Sequence, residues 1–329
     1  MKAEAKSHPF DRLSPDFIMD AVESLGYRCD CRTLALNSYE NRVYQVGIEE
    51  SDPFIVKFYR PERWSAEQVY EEHQLFFEMV EQELPVVPPL TDANGESLFS
   101  FQGFLFALFP RQGGHAPEFD NDANLLVLGR YLGRMHRIGQ VRPFAHRPAI
   151  DVNTYGHTAV DLIRERYIPA EYRESYELLT EQLLSALNTI FTQLDTVRTL
   201  RVHGDCHAGN ILWRNDNPHF VDFDDARMGP AIQDIWMLLS GDRQRQTVQL
   251  DTIIEGYEQF CDIDLQELRL IEPLRTLRML HYAAWIGSRW DDPAFPVAFP
   301  WFNTTQYWGE HILQLREQLA ALHEPPLTI

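Results

Sequence analysis

The chain has 329 residues, with 29 Lys and Arg against 49 Asp and Glu, for a formal net charge of −20. That length leaves room for two lobes with a core each, and that charge argues against nucleic-acid backbones and anionic membrane surfaces as partners. No run of about 18 apolar residues occurs and the opening MKAEAKSHPFDRLS has no apolar stretch of the signal-peptide kind, so no membrane partner and a cytoplasmic location are expected. The cysteines, Cys29, Cys31, Cys206 and Cys261, include no C-x-x-C pair and read as reduced thiols rather than a zinc ribbon or a disulfide framework.

Ser14-Pro15 opens an amphipathic stretch ending at Leu25-Gly26, with cap residues that predict a first helix. Arg42–Val46 and Phe54–Tyr59, rich in β-branched and aromatic residues, predict an antiparallel hairpin around the polar turn from Glu49 to Pro53. In its second strand Phe54, Val56 and Phe58 share one face and point to a core, while Lys57 shares the other with Ile55 and Tyr59. Lys57 is either a snorkelling surface lysine or an ammonium for nucleotide α/β-phosphates, and a partner carboxylate decides between them. Ser65 with Gln68 forms a capping box for a helix reaching about Glu83, and Glu72 is the carboxylate chosen from its several glutamates as the Lys57 partner.

Leu98–Phe101 and Gly103–Phe109 read as further strands, and Phe109-Pro110-Arg111-Gln112-Gly113-Gly114 reads as a lobe crossover. The expected division is a nucleotide-binding lobe over 1–110 and a catalytic and acceptor-binding lobe over 111–329. Leu125, Leu128, Leu132 and Met135 recur at helical spacing in a segment ending near Gly139, and further helices are expected at about 173–195, 231–240, 247–260, 265–288 and 304–322.

The segment His203–Asp222, HGDCHAGNILWRNDNPHFVD, carries the chemistry. Asp205 and Asn210 have the D-x-x-x-x-N spacing of a kinase catalytic loop, in which the Asp receives the acceptor hydroxyl's proton and the Asn oxygen binds magnesium. Ile211–Trp213 and His219–Val221 read as strands around a turn over Arg214–Pro218, centred on Asp216. On that symmetry Asn210 and Asp222 face each other with Cα atoms roughly 4.5–5.5 Å apart, close enough to share one magnesium. His203 reads as a residue that positions the loop, Asp234 as a structural acceptor for the loop backbone, and Asp224 and Asp225 as either second-magnesium contacts or solvated carboxylates.

Together these features describe an α+β, bilobal, protein-kinase-like fold with a β-rich N-lobe and a mainly helical C-lobe. No G-x-G-x-x-G precedes Lys57, no arginine stands in His203-Gly204-Asp205, and Asp222 is followed by Phe223-Asp224 instead of Phe-Gly, so eukaryotic-type protein kinases are a poor match. The chain instead resembles the aminoglycoside phosphotransferase and choline kinase superfamily, through H-G-D-x-x-x-x-N and the hydrophobic-Asp motif after it. Within that superfamily Leu36–Tyr44, Val56–Pro61, His203–Trp213 and Val221–Arg227 are similar to the bacterial stress response kinases.

The resemblance implies an ATP- and magnesium-dependent Ser/Thr protein kinase, linked in that family to survival of envelope and oxidative stress. It makes Asp205 the catalytic aspartate, Asp222 both a catalytic and a metal residue, Asn210 its partner on magnesium and Lys57 the phosphate lysine. Ser38, in an N-S-Y-E-N loop standing where others have glycines, becomes an ATP contact, and Phe109 with its neighbours offers backbone to adenine. The expected partners are ATP and protein substrates bearing Ser or Thr, acted on by a monomer. The alternative is a small-molecule kinase for an amino alcohol or an aminoglycoside, which keeps every one of these residues. A two-metal phosphoesterase lacks carboxylate and histidine ligands, and a non-catalytic kinase-like module commonly lacks the lysine, base or metal ligand present here.

Overall fold

The computed structural model describes residues 8–194 and 196–329. The chain forms two compact units, the first made of the described residues up to Ala116 together with Ile211–Asp224, the second of Pro117–Asn210 and Asp225–Ile329.

The first unit opens with helix α1 (Pro15–Glu23), where Ser14 accepts from the Phe17 N–H at 3.2 Å and Pro15 fills the first turn. Strands β1 (Cys29–Ala35), β2 (Arg42–Ile48) and β3 (Phe54–Phe58) follow, then helix α2 (Ala66–Glu81) and strands β4 (Phe99–Phe101) and β5 (Phe104–Pro110). They build one antiparallel sheet in the order β1-β2-β3-β5-β4. Strand β1 is an addition to the expected elements. Its charged Asp30 and Arg32, its mostly exposed surface and the left-handed φ of 65° at Cys31, where its register shifts, remove the period-2 signal.

Alternation gives the sheet two faces. Val46, Val56, Phe58, Phe104 and Phe106 pack on one side with Ile18, Ala21 and Val22 of α1, whereas Tyr59 and Ala107 meet Val69 of α2 and Leu98 on the other. Lys57 is buried and lies on the α2 side. The capping box at Ser65 and Gln68 is formed in both directions, at 3.3 and 2.9 Å, which fixes where α2 begins.

The second unit begins with α3 (Asp122–Gly139), followed by a π turn at Val152–His157 running into α4 (Thr158–Arg166), then α5 (Arg173–Gln193) and β6 (Leu200–Val202). The chain then returns to the first unit as the hairpin β7 (Ile211–Arg214) and β8 (Asn217–Phe220) before β9 (Arg227–Gly229) pairs antiparallel with β6. Helices α6 (Ile232–Trp236), α7 (Arg243–Tyr257), α8 (Ile271–Ser288), α9 (Ala294–Ala298) and α10 (Thr305–Ala321) complete it. The expected helix over 231–240 is thus only one turn and a half. The segment expected as 265–288 starts as a 3-10 turn, with Pro273 admitted to the first turn of α8, where its missing N–H has no helical partner to lose. The two-stranded pair β6–β9 and the segment Val152–Arg166 had no counterpart in the sequence reading.

The Leu125, Leu128, Leu132 and Met135 stripe of α3 is buried as its spacing required. Between those residues Gly129 and Gly133 meet the Ile253 and Tyr257 carbonyls of α7, and Gly256 of α7 meets the Leu126 carbonyl, so closely that a Cβ at any of the three would collide with backbone. The two helices therefore touch main chain to main chain.

Candidate active site

In the first unit the site is built around Lys57. Its position at the centre of β3, opposite Ala107 of β5 and Val43 of β2, leaves the side chain only 8% exposed. Three carboxylates surround its ammonium: Asp224 at 3.0 Å, Asp222 at 3.2 Å and Glu72 of α2 at 3.7 Å. Burial alone would depress the lysine's pKa, but Asp224, Glu72 and Asp222 outweigh it and hold the ammonium well above its ordinary range, so it stays charged. Asp224 is enclosed and also paired with Arg63, which removes the solvated alternative for this residue. Asp222, by contrast, has a side chain 55% exposed and a left-handed φ of 60°, a conformation that Asp tolerates better than most residues and that turns its carboxylate off the strand line.

The loop between β1 and β2 is tied to the same cluster. Glu40 pairs with Arg60 at 3.0 Å and with Arg63 at 3.4 Å, the Arg60 N–H donates to Asn41 Oδ1 at 3.0 Å, and the Ser38 hydroxyl donates to the Asn41 carbonyl at 3.4 Å. Arg63 thus joins the loop carboxylate of Glu40 to Asp224. The sequence reading missed Arg60 and Arg63; their only signal was two arginines just beyond the Lys57 strand.

Phe109 lies opposite Ile55, with its ring against His73 and Phe76. The Tyr59 N–H to Leu105 carbonyl bond of 3.0 Å sets the phase of the β3–β5 ladder, and by alternation Phe109 exchanges its own backbone bonds with Ile55. The backbone turned away from β3 belongs to Leu108, whose carbonyl accepts from the Leu90 N–H at 2.7 Å, and to Pro110. Any backbone offered to a base therefore comes from the neighbours of Phe109.

The β7–β8 hairpin is tighter than expected. Ile211 pairs with Phe220 and Arg214 with Asn217, around a two-residue turn at Asn215-Asp216 in which both φ values are positive, 52° and 59°. Such a turn has the twist that suits adjoining strands, so its centre falls between the two residues rather than on Asp216 and the expected symmetric facing of residues 210 and 222 shifts register by one. Pro218, expected in the turn, lies in β8 opposite Trp213. There the missing N–H costs nothing, because the Trp213 backbone bonds outward to His115, donating at 2.6 Å and accepting at 3.1 Å.

In the second unit the site is the loop from His203 to Asn210. Asp234 is fully buried and accepts from the His203 N–H at 2.7 Å and the Gly204 N–H at 2.8 Å, while His136 Nε2 lies 2.9 Å from the same carboxylate. Gly204 has φ of 83°, and a Cβ there would meet the Asp225 carbonyl, so both backbone angle and space require glycine. His203 positions the loop as expected, its Nδ1 accepting from the Asp205 N–H at 3.3 Å.

Asp205 is held from three sides. The Asn210 amide nitrogen donates to its carbonyl at 2.9 Å and to Oδ2 at 3.4 Å, which turns the Asn210 amide oxygen away. The Gly209 N–H donates to His207 Nδ1 at 2.9 Å, leaving the proton on Nε2, 3.5 Å from Asp205 Oδ2. Arg278 Nη1 lies 2.6 Å from Oδ1 without hydrogen-bond alignment, and Oδ1 is buried with no aligned donor among the described residues. Burial would raise this carboxyl's pKa, and Asp225 adds to that, but His207 and Arg278 prevail and hold it below its ordinary value. Asp225 pairs with Arg227 at 3.6 Å. The sequence reading did not find Arg278, which lies on α8, 73 residues beyond Asp205.

A buried strand lysine with a helix glutamate, and a carboxylate presented by a loop that ends in asparagine, define a kinase-type phosphotransferase. The comparisons agree: residues 32–271 match the phosphotransferase enzyme family, and the chain belongs to it. Stress response kinase A of Escherichia coli O157:H7 is 49% identical over 97% of both chains. A Salmonella typhimurium relative named serine/threonine protein kinase RdoA is 48% identical over 97% of both. Among solved structures, amicoumacin kinase hAmiN in complex with AMP-PNP, Ca2+ and Ami has a TM-score of 0.75 at 19% identity, covering 97% of this chain and 96% of that one, a likeness of fold. The α+β, kinase-like architecture of the aminoglycoside phosphotransferase and choline kinase type is thereby established. Among the described residues no helix is long and apolar enough to cross a membrane.

Proposed function

We propose that this kinase transfers the γ-phosphoryl group of ATP to a Ser or Thr hydroxyl of a protein, with magnesium, in a stress response. The observation that carries the reading is the Asp205 loop: a carboxylate with one oxygen lacking an aligned donor, its backbone clamped by Asp234 and its side chain steadied by Asn210. A carboxylate so held orients an incoming hydroxyl and receives its proton; its low pKa is no obstacle where the transition state is loose and the proton leaves late. Lys57, kept charged by its three carboxylates, binds the α/β-phosphates, and Glu72 steadies it. Ser38 and the backbone of its loop cover the phosphates, and backbone beside Phe109 meets adenine.

Asp222 and Asn210 are the candidate magnesium ligands. Their oxygens suit a hard cation, and the exposed Asp222 carboxylate has room for one. Among the described residues no group of three or more His, Cys, Asp or Glu is arranged around a metal, so the nucleotide and water have to supply most of its ligands. When bound, magnesium supplies charge neutralisation at the β/γ-phosphate oxygens.

The protein acceptor is supported by the Salmonella relative named as a serine/threonine protein kinase. The second reading, a small-molecule acceptor, is favoured by the fold shared with amicoumacin kinase. An ATP donor and four free cysteines suit the cytoplasm. The test is a labelled-ATP assay with a general protein acceptor beside a panel of amino alcohols and aminoglycosides. Protein labelling that Asp205→Ala and Asp222→Ala abolish while their circular dichroism stays native is expected; transfer confined to a small molecule, or near-normal turnover by either variant, refutes the proposal.

A further inference from the structure

We infer that Arg278 selects acceptors with a negative charge beside the reacting hydroxyl, in a protein substrate a Ser or Thr flanked by Asp, Glu or a phosphorylated residue. The inference rests on the reading of Asp205 as the group that meets the acceptor. Its evidence is the pair itself. Arg278 Nη1 sits 2.6 Å from Oδ1, the oxygen is sealed from solvent, and the arginine side chain is still 38% exposed. A guanidinium has five donors in a planar fork and this contact aligns none on Oδ1, so its outer edge is available to whatever approaches the base.

An acceptor reaching Asp205 has to share or displace that guanidinium. A neutral acceptor that displaces it leaves the cation without its carboxylate, and a cationic acceptor adds like-charge repulsion. An anionic group next to the hydroxyl does neither: it takes over the guanidinium, bidentate if it is a carboxylate or phosphate, and frees Oδ1 for the hydroxyl. The neighbouring Asp225 points the same way, since it is already paired with Arg227 at 3.6 Å and so is a poor partner for an incoming ammonium. Tyr282, exposed and one turn beyond Arg278 on α8, stacks on Trp285 at 5.7 Å and offers an extended aromatic surface along the same helix.

The experiment uses the full chain, labelled ATP, and three sets of Ser-centred peptides matched except for acidic, neutral or basic flanks. Wild type is expected to favour acidic over basic flanks by about tenfold or more in kcat/KM, mainly through KM. Arg278→Lys should keep that order, and Arg278→Glu should reverse it, a change of preference that a merely structural defect does not produce. If wild type transfers to all three sets alike, or prefers basic flanks, the inference falls while the protein-kinase reading stands, and that result needs no variant. An order unchanged by Arg278→Glu likewise overturns it. Transfer to an amino alcohol and to no peptide overturns both.

Discussion

Replacing Asp234 tests how the loop from His203 to Asn210 is held. Its carboxylate is fully buried and receives the His203 N–H, the Gly204 N–H and His136 Nε2 at 2.7, 2.8 and 2.9 Å. Asp234→Ala leaves three groups without their acceptor, and since each buried orphan costs about 1–3 kcal/mol the loss is about 3–9 kcal/mol. That is a large part of a stability of about 5–15 kcal/mol. Asp234→Asn keeps one acceptor oxygen but turns an amide NH2 toward a donor, so about half that loss is expected. Chemical denaturation followed by circular dichroism reads the change. Combining Asp234→Ala with His136→Phe removes one of the stranded groups, so the pair should be less damaging than the sum by about 1–2 kcal/mol. A variant Asp234→Ala within roughly 1 kcal/mol of wild type, or strict additivity with His136→Phe, refutes the clamp.

Lys57→Met leaves the buried Glu72 and Asp224 carboxylates without their shared ammonium and should destabilise the chain by about 3–5 kcal/mol, an effect that adding Glu72→Gln partly relieves in thermal melts. Glu267 has a carboxyl pushed up from 4.5 to about 7, chiefly by burial, although it accepts from the Ile232 N–H at 2.8 Å. A raised carboxyl pKa adds stability that is complete below the unfolded value near 4.5 and lost as pH rises through about 7. Glu267→Gln should therefore raise the melting point at pH 8, by an amount worth at most about 3 kcal/mol, and do little at pH 4; an equal shift at both values contradicts the assignment. Gly133→Ala sets a methyl against the Tyr257 carbonyl and should cost about 1–3 kcal/mol in denaturation midpoint, whereas Gly95→Ala, whose Cβ has open space but a φ of 86°, reports backbone strain without a clash.

What the sequence disclosed follows from the range of the interactions involved. Short-range signals were legible: the Ser14 and Ser65 caps, the alternation that sends Val56 and Phe58 to one face and Lys57 to the other, and the leucine stripe of α3 are each written within a dozen residues. The Asp205–Asn210 loop stood out by its D-x-x-x-x-N spacing, and in the structure the two residues are hydrogen-bonded. Strand β1 escaped because edge strands need not alternate, and β6 and β9 because three residues carry no period. The hairpin register turned on two adjacent left-handed residues, Asn215 and Asp216, in a stretch where Pro218 looked like part of the turn. Arg278, Arg63 and the attachment of the hairpin to the first unit are long-range matters, which no local window contains.

That attachment bears on the order in which the protein can mature. The sheet around Lys57 leaves the ribosome about a hundred residues before the hairpin, which is bonded to the segments flanking that sheet through Trp213 with His115 and through the Phe220 N–H with Pro85. Until Asp222 and Asp224 are synthesised, the ammonium lacks two of the three carboxylates that surround it and has Glu72 to pair with, so burying it early is unfavourable. The nascent N-terminal segment is therefore kept waiting for a piece of chain made after α3, α4 and α5, and a fragment stopped at Ala116 should emerge as a loosely packed sheet that the missing hairpin, added as a separate peptide, would tighten.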